Sequence, residues 1–150
     1  LVYKSAIDLS SVAEPEAQIE KLFTGNGWGR DMWRDGIFSY VHYHSMTHEA
    51  LGVARGRARV QLGGHDGEVL EFAAGDIAVL PAGTGHQRLI GSEDFSVVGA
   101  YPPEGTYNLC RGDNPAERGK ALTTISQVPV PQSDPVSGTD GPLLTLWRRP

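Results

Sequence analysis

From residue 37 to residue 101 each apolar pattern in the chain has the period of a β-strand. Arg57-Ala58-Arg59-Val60-Gln61-Leu62 alternates polar with apolar, which puts Ala58, Val60 and Leu62 on one face. Gly63-Gly64-His65-Asp66-Gly67 then reads as a hairpin turn by its glycines, with His65 exposed to solvent. Glu68 to Phe72, Ile77 to Leu80, His86 to Ile90 and Phe95 to Tyr101 follow as short strands between Gly-rich or polar turns. That rhythm predicts an all-β sandwich or closed jelly roll.

The flanks are different. Pro15 to Phe23 carries Ile19, Leu22 and Phe23 at helical spacing, with proline at the start and Gly25 just past the end, and predicts one short helix. Trp28, Met32, Trp33, Ile37 and Phe38 form an aromatic lead-in that reads as a core lid. Beyond Tyr101 the sequence turns proline-rich, and Pro129, Pro131, Pro135 and Pro142 cannot donate to a strand ladder. An extended arm that wraps the barrel or a partner subunit is expected. The 150 residues fit one domain, divided into residues 1–36, the barrel at 37–101 and the arm at 102–150.

Within the barrel, His42, His44, His48 and Glu49 fall inside eight residues. Side chains two apart on a strand share a face, so His42 and His44 can grip one ion. Glu49 has the wrong parity to join them on an unbroken strand, and a turn at Ser45-Met46-Thr47 would restore it to the inner face. His86, just after Pro81-Ala82-Gly83, supplies a fourth ligand from a distant strand. His48 is turned away from the cavity by alternation. Two imidazoles and a carboxylate leave coordination positions open on a divalent transition metal.

These residues carry a family resemblance. His42-x-His44, four residues, Glu49, six residues, Gly56 resembles the first cupin motif, and Gly75, five residues, Pro81-x-Gly83, two residues, His86 resembles the second. Where many cupins carry Asn four residues after the last histidine, this chain has Ile90. Trp28, the run ending at Pro102, Asp134-Pro135-Val136 and Gly141-Pro142-Leu143 look like the uncharacterised bacterial single-domain cupins of the YjlB type. The resemblance implies a double-stranded β-helix, or jelly-roll barrel, with a short N-terminal helix and a C-terminal arm. It implies one divalent metal (Fe, Mn, Ni or Zn) on His42, His44, Glu49 and His86, and it implies a homodimer.

Other classes of function are disfavoured. With 13 Lys plus Arg against 18 Asp plus Glu, the net charge of -5 argues against a nucleic-acid surface. One cysteine, Cys110, makes no internal disulfide, and no histidine lies near it in sequence to activate it, so a cytoplasmic protein is expected. No apolar run approaches the ~18 residues of a bilayer span, so no membrane partner is expected.

Parity extends the reading to a substrate pocket. Phe38 and Tyr40 share a face with the paired histidines, Leu51 and Val53 with Glu49, and Arg88 and Ile90 with His86. An inward Arg88 would need a partner such as a substrate carboxylate or phosphate, so an anionic ligand is conceivable. The expected activity is that of a metal-dependent enzyme on a small polar metabolite, with oxygenase chemistry first and isomerase or lyase chemistry second. Tyr40 and Tyr101 are candidate acids or bases. A non-catalytic ligand-binding barrel is the alternative, and the apolar arm bearing Trp147 supports dimerisation.

Overall fold

A computed structural model of the protein describes residues 1–147. Eight strands and three helices follow one another as β1 (Val2–Tyr3), α1 (Pro15–Gly25), β2 (Arg30–Asp35), β3 (Glu49–Arg55), β4 (Arg57–Leu62), β5 (Glu68–Ala73), β6 (Ile77–Leu80), β7 (His86–Gly91), β8 (Ser96–Tyr101), α2 (Pro115–Gln127) and α3 (Leu143–Leu146). The strands make a five-stranded sheet in the order β1-β6-β3-β8-β2 and a three-stranded sheet in the order β5-β4-β7, with antiparallel pairing throughout. This is the all-β fold that the strand rhythm predicted, in the double-stranded β-helix form that the cupin resemblance implied.

Alternation sets the two cores. Leu51 and Val53 of β3, Ala78 and Leu80 of β6 and Val97 of β8 join Ala58, Val60 and Phe72 of the other sheet in the barrel interior. Ala50, Ala54, Ile77, Val79, Val98 and Ala100, one residue out of phase, pack under Ile19 and Phe23 of α1 together with Trp28 and Leu143. β3 is therefore buried on both faces along nearly its whole length. α1 sits so close to it that a Cβ at Gly52 would stand 2.6 Å from Ile19 Cγ2. The helix runs two residues beyond the expected stop at Phe23, because Gly27 and not Gly25 takes the left-handed turn, at φ 83°.

The C-terminal region corrects the sequence reading. It is not an extended arm throughout: α2 occupies residues 115–127, started by the Asn114 side chain, which accepts from the Ala116 and Glu117 amides, and by Pro115 in the first turn. Downstream, the Trp28 indole donates to the Ser133 carbonyl at 2.8 Å, and Asn26 Nδ2 donates to the carbonyls of Pro135 and Val136. Leu143 is fully buried, and Trp147 packs on the helix-side core and against the His48 ring. The chain's own core therefore takes up Leu143 and half-buries Trp147, while Leu146 remains 65% exposed. Among the described residues no helix is long and apolar enough to cross a membrane.

Candidate metal centre

At one end of the barrel the segment before β3 runs beside β7. His42 and His86 exchange backbone hydrogen bonds of 3.1 and 2.9 Å, and Arg88 N donates to Phe38 O. This pairing stands the two imidazoles side by side, 4.1 Å between centroids. His44 follows two residues on. The chain then bends through residues 45–47, so that Glu49 opens β3 on the inner face as expected. His42, His44, Glu49 and His86 are all at most 5% exposed. One ring nitrogen from each of His42, His44 and His86 lies within 4.8 Å of the others; the Glu49 carboxylate is outside that mutual set but reaches two of its members.

Each ring is oriented by a backbone carbonyl. Nδ1 of His42 faces Tyr40 O at 3.1 Å, Nδ1 of His86 faces Thr84 O at 2.9 Å, and Nδ1 of His44 faces Asn108 O. A carbonyl only accepts, so Nδ1 is the protonated nitrogen in each case and Nε2 is left with its lone pair. Glu49 Oε1 accepts from the Tyr101 hydroxyl at 3.0 Å, and that hydroxyl accepts from Trp33 Nε1 at 3.0 Å. The indole can lie there only because residue 99 is glycine: a Cβ would stand 1.9 Å from its Cε2.

The other Glu49 oxygen is different. Oε2 lies 3.3 Å from His44 Nε2 and 3.2 Å from His86 Nε2, yet it has no hydrogen bond of acceptable geometry. Glu104 Oε2 is the other buried side-chain oxygen without a partner among the described residues. Burial, reinforced by the neighbouring His86 ring, pushes His42 down to about 4. Burial works to raise Glu49, but His44 and His86 outweigh it and hold the carboxyl well below the usual carboxylate range. Burial works to lower His44, and Glu49 outweighs it to hold His44 above the ordinary imidazole value. A carboxylate oxygen without a donor, facing nitrogen lone pairs in a buried space, fits a divalent cation.

A cavity of about 480 Å³ opens over the four residues. Phe38 and Leu51 line it, as predicted by parity; Tyr40, Val53, Arg88 and Ile90 do not. Val53 has the right face but lies deeper, within the barrel core. Tyr40 stacks on Phe38 on one side and under the Arg111 guanidinium on the other. Ile90 faces outward and is 63% exposed, because the β4–β7 register slips between the Val60–Arg88 and Arg59–Ile90 pairs, and the extra residue, Leu89, reverses the parity. Arg88 donates Nε to Ile37 O at 3.2 Å.

Trp33, which the sequence placed in a core lid, and Tyr107, which it passed over, both line the cavity. Burial and the Glu49 charge push the Tyr101 hydroxyl far above its ordinary value, so it serves as a donor and not as a base. His48 is buried away from the cavity, its Nδ1 accepting from Ala82 N and its Nε2 beside Pro129 O. His65 is exposed, and Cys110 is buried against Asn108 and Ser45.

No protein-family model matches the chain. The chain is 40% identical over 147 residues to the uncharacterized protein YjlB of Bacillus subtilis strain 168, covering 98% of this chain and 84% of that protein. Solved structures that resemble it include the formate complex of Lactobacillus farciminis oxalate decarboxylase, at 21% identity over 65% of this chain and 33% of that one, with a TM-score of 0.43. A conserved Klebsiella pneumoniae protein with a double-stranded β-helix domain aligns at 23% identity over 55% of this chain and 68% of that one, with a TM-score of 0.40. The chain spans about a third or less of the oxalate decarboxylase chains it matches. The identity to YjlB over nearly the whole chain, on a double-stranded β-helix with both motifs in place, makes this protein a member of the YjlB-type cupins.

Proposed function

We propose that the protein is a metal-dependent enzyme in which His42, His44, Glu49 and His86 hold one divalent transition metal, and that its reaction on a small molecule is of the oxygenase type. One observation carries the reading: three imidazoles turned by backbone carbonyls so that their bare nitrogens converge, two of them beside a buried carboxylate oxygen that has no donor. Three imidazoles and a carboxylate leave two positions of an octahedral ion for ligands, and with iron such a centre supplies redox chemistry with dioxygen.

Isomerisation or elimination would instead need a protein base beside the substrate, for which Asp31 and Asp35 are the carboxylates, apart from Glu49, among the described lining residues. Among the described residues lining the cavity, the Tyr101 hydroxyl is held by Glu49, burial raises Tyr107, and Asp31 and Asp35 stand with Arg34 on the β2 edge of the cavity. The chain's own part is to hold the rings, to fix one carboxylate oxygen through Tyr101 and to surround the open positions with apolar walls.

Elemental mass spectrometry on untagged protein purified without added metal tests this, with His44→Ala alongside. Near-stoichiometric iron that vanishes in the variant is expected, and directs the search to oxygen-consuming reactions. Stoichiometric zinc, nickel or manganese that supports turnover would replace the oxygenase reading with an isomerase or lyase. Folded protein that neither carries nor accepts metal would leave a ligand-binding barrel.

A further inference from the structure

We infer that the ligand of this cavity has a flat apolar body, neutral or cationic, joined to a two-point chelating head; small anions with no body are poor ligands. The inference rests on the metal reading above and adds what the walls select.

The walls present carbon. Trp33, Ile37, Phe38, Leu51, Tyr101 and Tyr107 surround the space over the histidines. The Trp33 N–H and the Tyr101 hydroxyl are spent within the wall, since the Trp33 N–H donates to the Tyr101 hydroxyl and that hydroxyl donates to Glu49. Phe38 is stacked by Tyr40 on one face at 4.9 Å, yet the residue remains 45% exposed. Tyr107, 47% exposed, leans on His44 and on Tyr101, with centroids 5.1 and 5.4 Å away. Exposed rings of this kind beside a buried polar centre gain by stacking on a planar ligand. At about 480 Å³ the space lies in the range that accommodates ligands of drug size.

The charges exclude an anionic body. Among the described residues Arg34 is the one Lys or Arg on the lining, and its guanidinium is gripped by both Glu20 oxygens at 2.6 and 2.8 Å. Arg88 is absent from the lining, and Arg111 lies over the Tyr40 ring. Opposing them, Asp31 and Asp35 stand on the same β2 edge, Asp31 beside Arg30 at 3.6 Å and Asp35, among the described residues, with only the Gly36 amide on its Oδ1. Asp31 has φ 46° at the register slip of β2, a left-handed conformation that strains a non-glycine residue. Any negative charge on the head can be met at the ion; negative charge on the body meets carboxylates.

The test keeps one chelating head and changes only the body. Cobalt(II)-loaded protein is titrated with acetohydroxamic, benzohydroxamic, 4-carboxybenzohydroxamic and 4-(aminomethyl)benzohydroxamic acids, read by the cobalt absorption bands. Benzohydroxamic acid is expected to bind about 10-fold tighter than acetohydroxamic acid, the order expected for seating one aromatic ring. The carboxylate should erase that gain and the aminomethyl group should keep it. Phe38→Ala, at a position 45% exposed whose ring also packs edge-on to His42 at 5.1 Å, should bring the first two probes together once its cobalt loading has been matched to wild type. Equal affinities in the wild type, a preference for the carboxylate, or a ratio indifferent to Phe38→Ala would overturn the ligand class while leaving the metal reading intact. Cobalt that fails to bind, or that binds His44→Ala as well as wild type, would overturn both.

Discussion

Two carboxylates are buried in this protein to the same depth, and they are used in opposite ways. Asp134 is 0% exposed and both its oxygens are occupied: Oδ1 accepts from the amides of Val136 and Ser137, and Oδ2 from the Leu143 amide and the Tyr3 hydroxyl. Glu49 is 2% exposed, has one oxygen held by Tyr101 and leaves the other facing the His44 and His86 imidazoles without a donor. A buried carboxylate with all its acceptors filled ties segments together, here β1 to the chain around α3. One left short of donors is a cost to folding unless a cation completes it.

The comparison breaks most visibly if the two residues are exchanged in role. Asp134→Ala strands four donors in a dry place and is expected to cost about 3 kcal/mol or more in urea unfolding, whereas metal content per folded molecule stays as in wild type. Glu49→Gln should do the reverse. The metal-free variant should lose less stability than Asp134→Ala does, because the amide keeps the Tyr101 hydroxyl and the lost pull of His44 and His86 is partly offset by the removal of a buried charge. Its metal affinity should fall by about 100-fold or more, beyond what losing an outer-shell partner costs. Equal stability losses in the two variants, each assayed without metal, would erase the distinction.

Tyr101→Phe sharpens it. The change removes the donor of Glu49 Oε1 and the acceptor of the Trp33 N–H, for about 1–2 kcal/mol in metal-free protein and about 10-fold in metal affinity. A loss of stability with unaltered metal affinity would mean that the tyrosine only packs.

The smallest effect lies in pH. His42 has a folded value of about 4, below its unfolded value near 6.5, so the stability it contributes is present above pH 6.5 and is lost as pH falls toward 4. His44 is shifted the other way, so its contribution is complete below pH 6.5 and is lost as pH rises through its raised value. Metal-free protein should therefore be most stable near pH 6.5 and lose about 1–2 kcal/mol on the acid side, after allowing for solvent screening. Urea midpoints in the presence of a chelator measure this, and an acid limb that persists in His42→Gln would assign it elsewhere.

What the sequence disclosed follows the range of the interactions involved. The pairing of His42 with His44 rests on strand period and the return of Glu49 on one turn, both local properties, whereas His86 meets them across a long-range bridge that only the resemblance to the second cupin motif implied. Ile90 failed because one extra residue in β7 reverses every parity beyond it, and nothing in His86 to Gly91 announces the slip. Val53 failed on depth, since alternation gives a face and not a distance from the barrel mouth. The signals for α2 were present in Asn114, Pro115 and Glu117, and the prolines downstream masked them. The Trp33–Tyr101–Glu49 chain joins three strands, and no single segment reveals it; Gly99 marks it only after the indole is seen against β8.

The partners that aim the three rings are main-chain carbonyls, those of Tyr40, Thr84 and Asn108. Every residue type carries a carbonyl, so substitution at these positions leaves the aim of the rings untouched as long as the backbone keeps its path. The cavity walls enjoy no such protection, because their character lies wholly in side chains such as Phe38 and Tyr107. In a lineage built on this plan the grip on an ion is inherited with the chain trace, and the choice of what is held against it is free to drift.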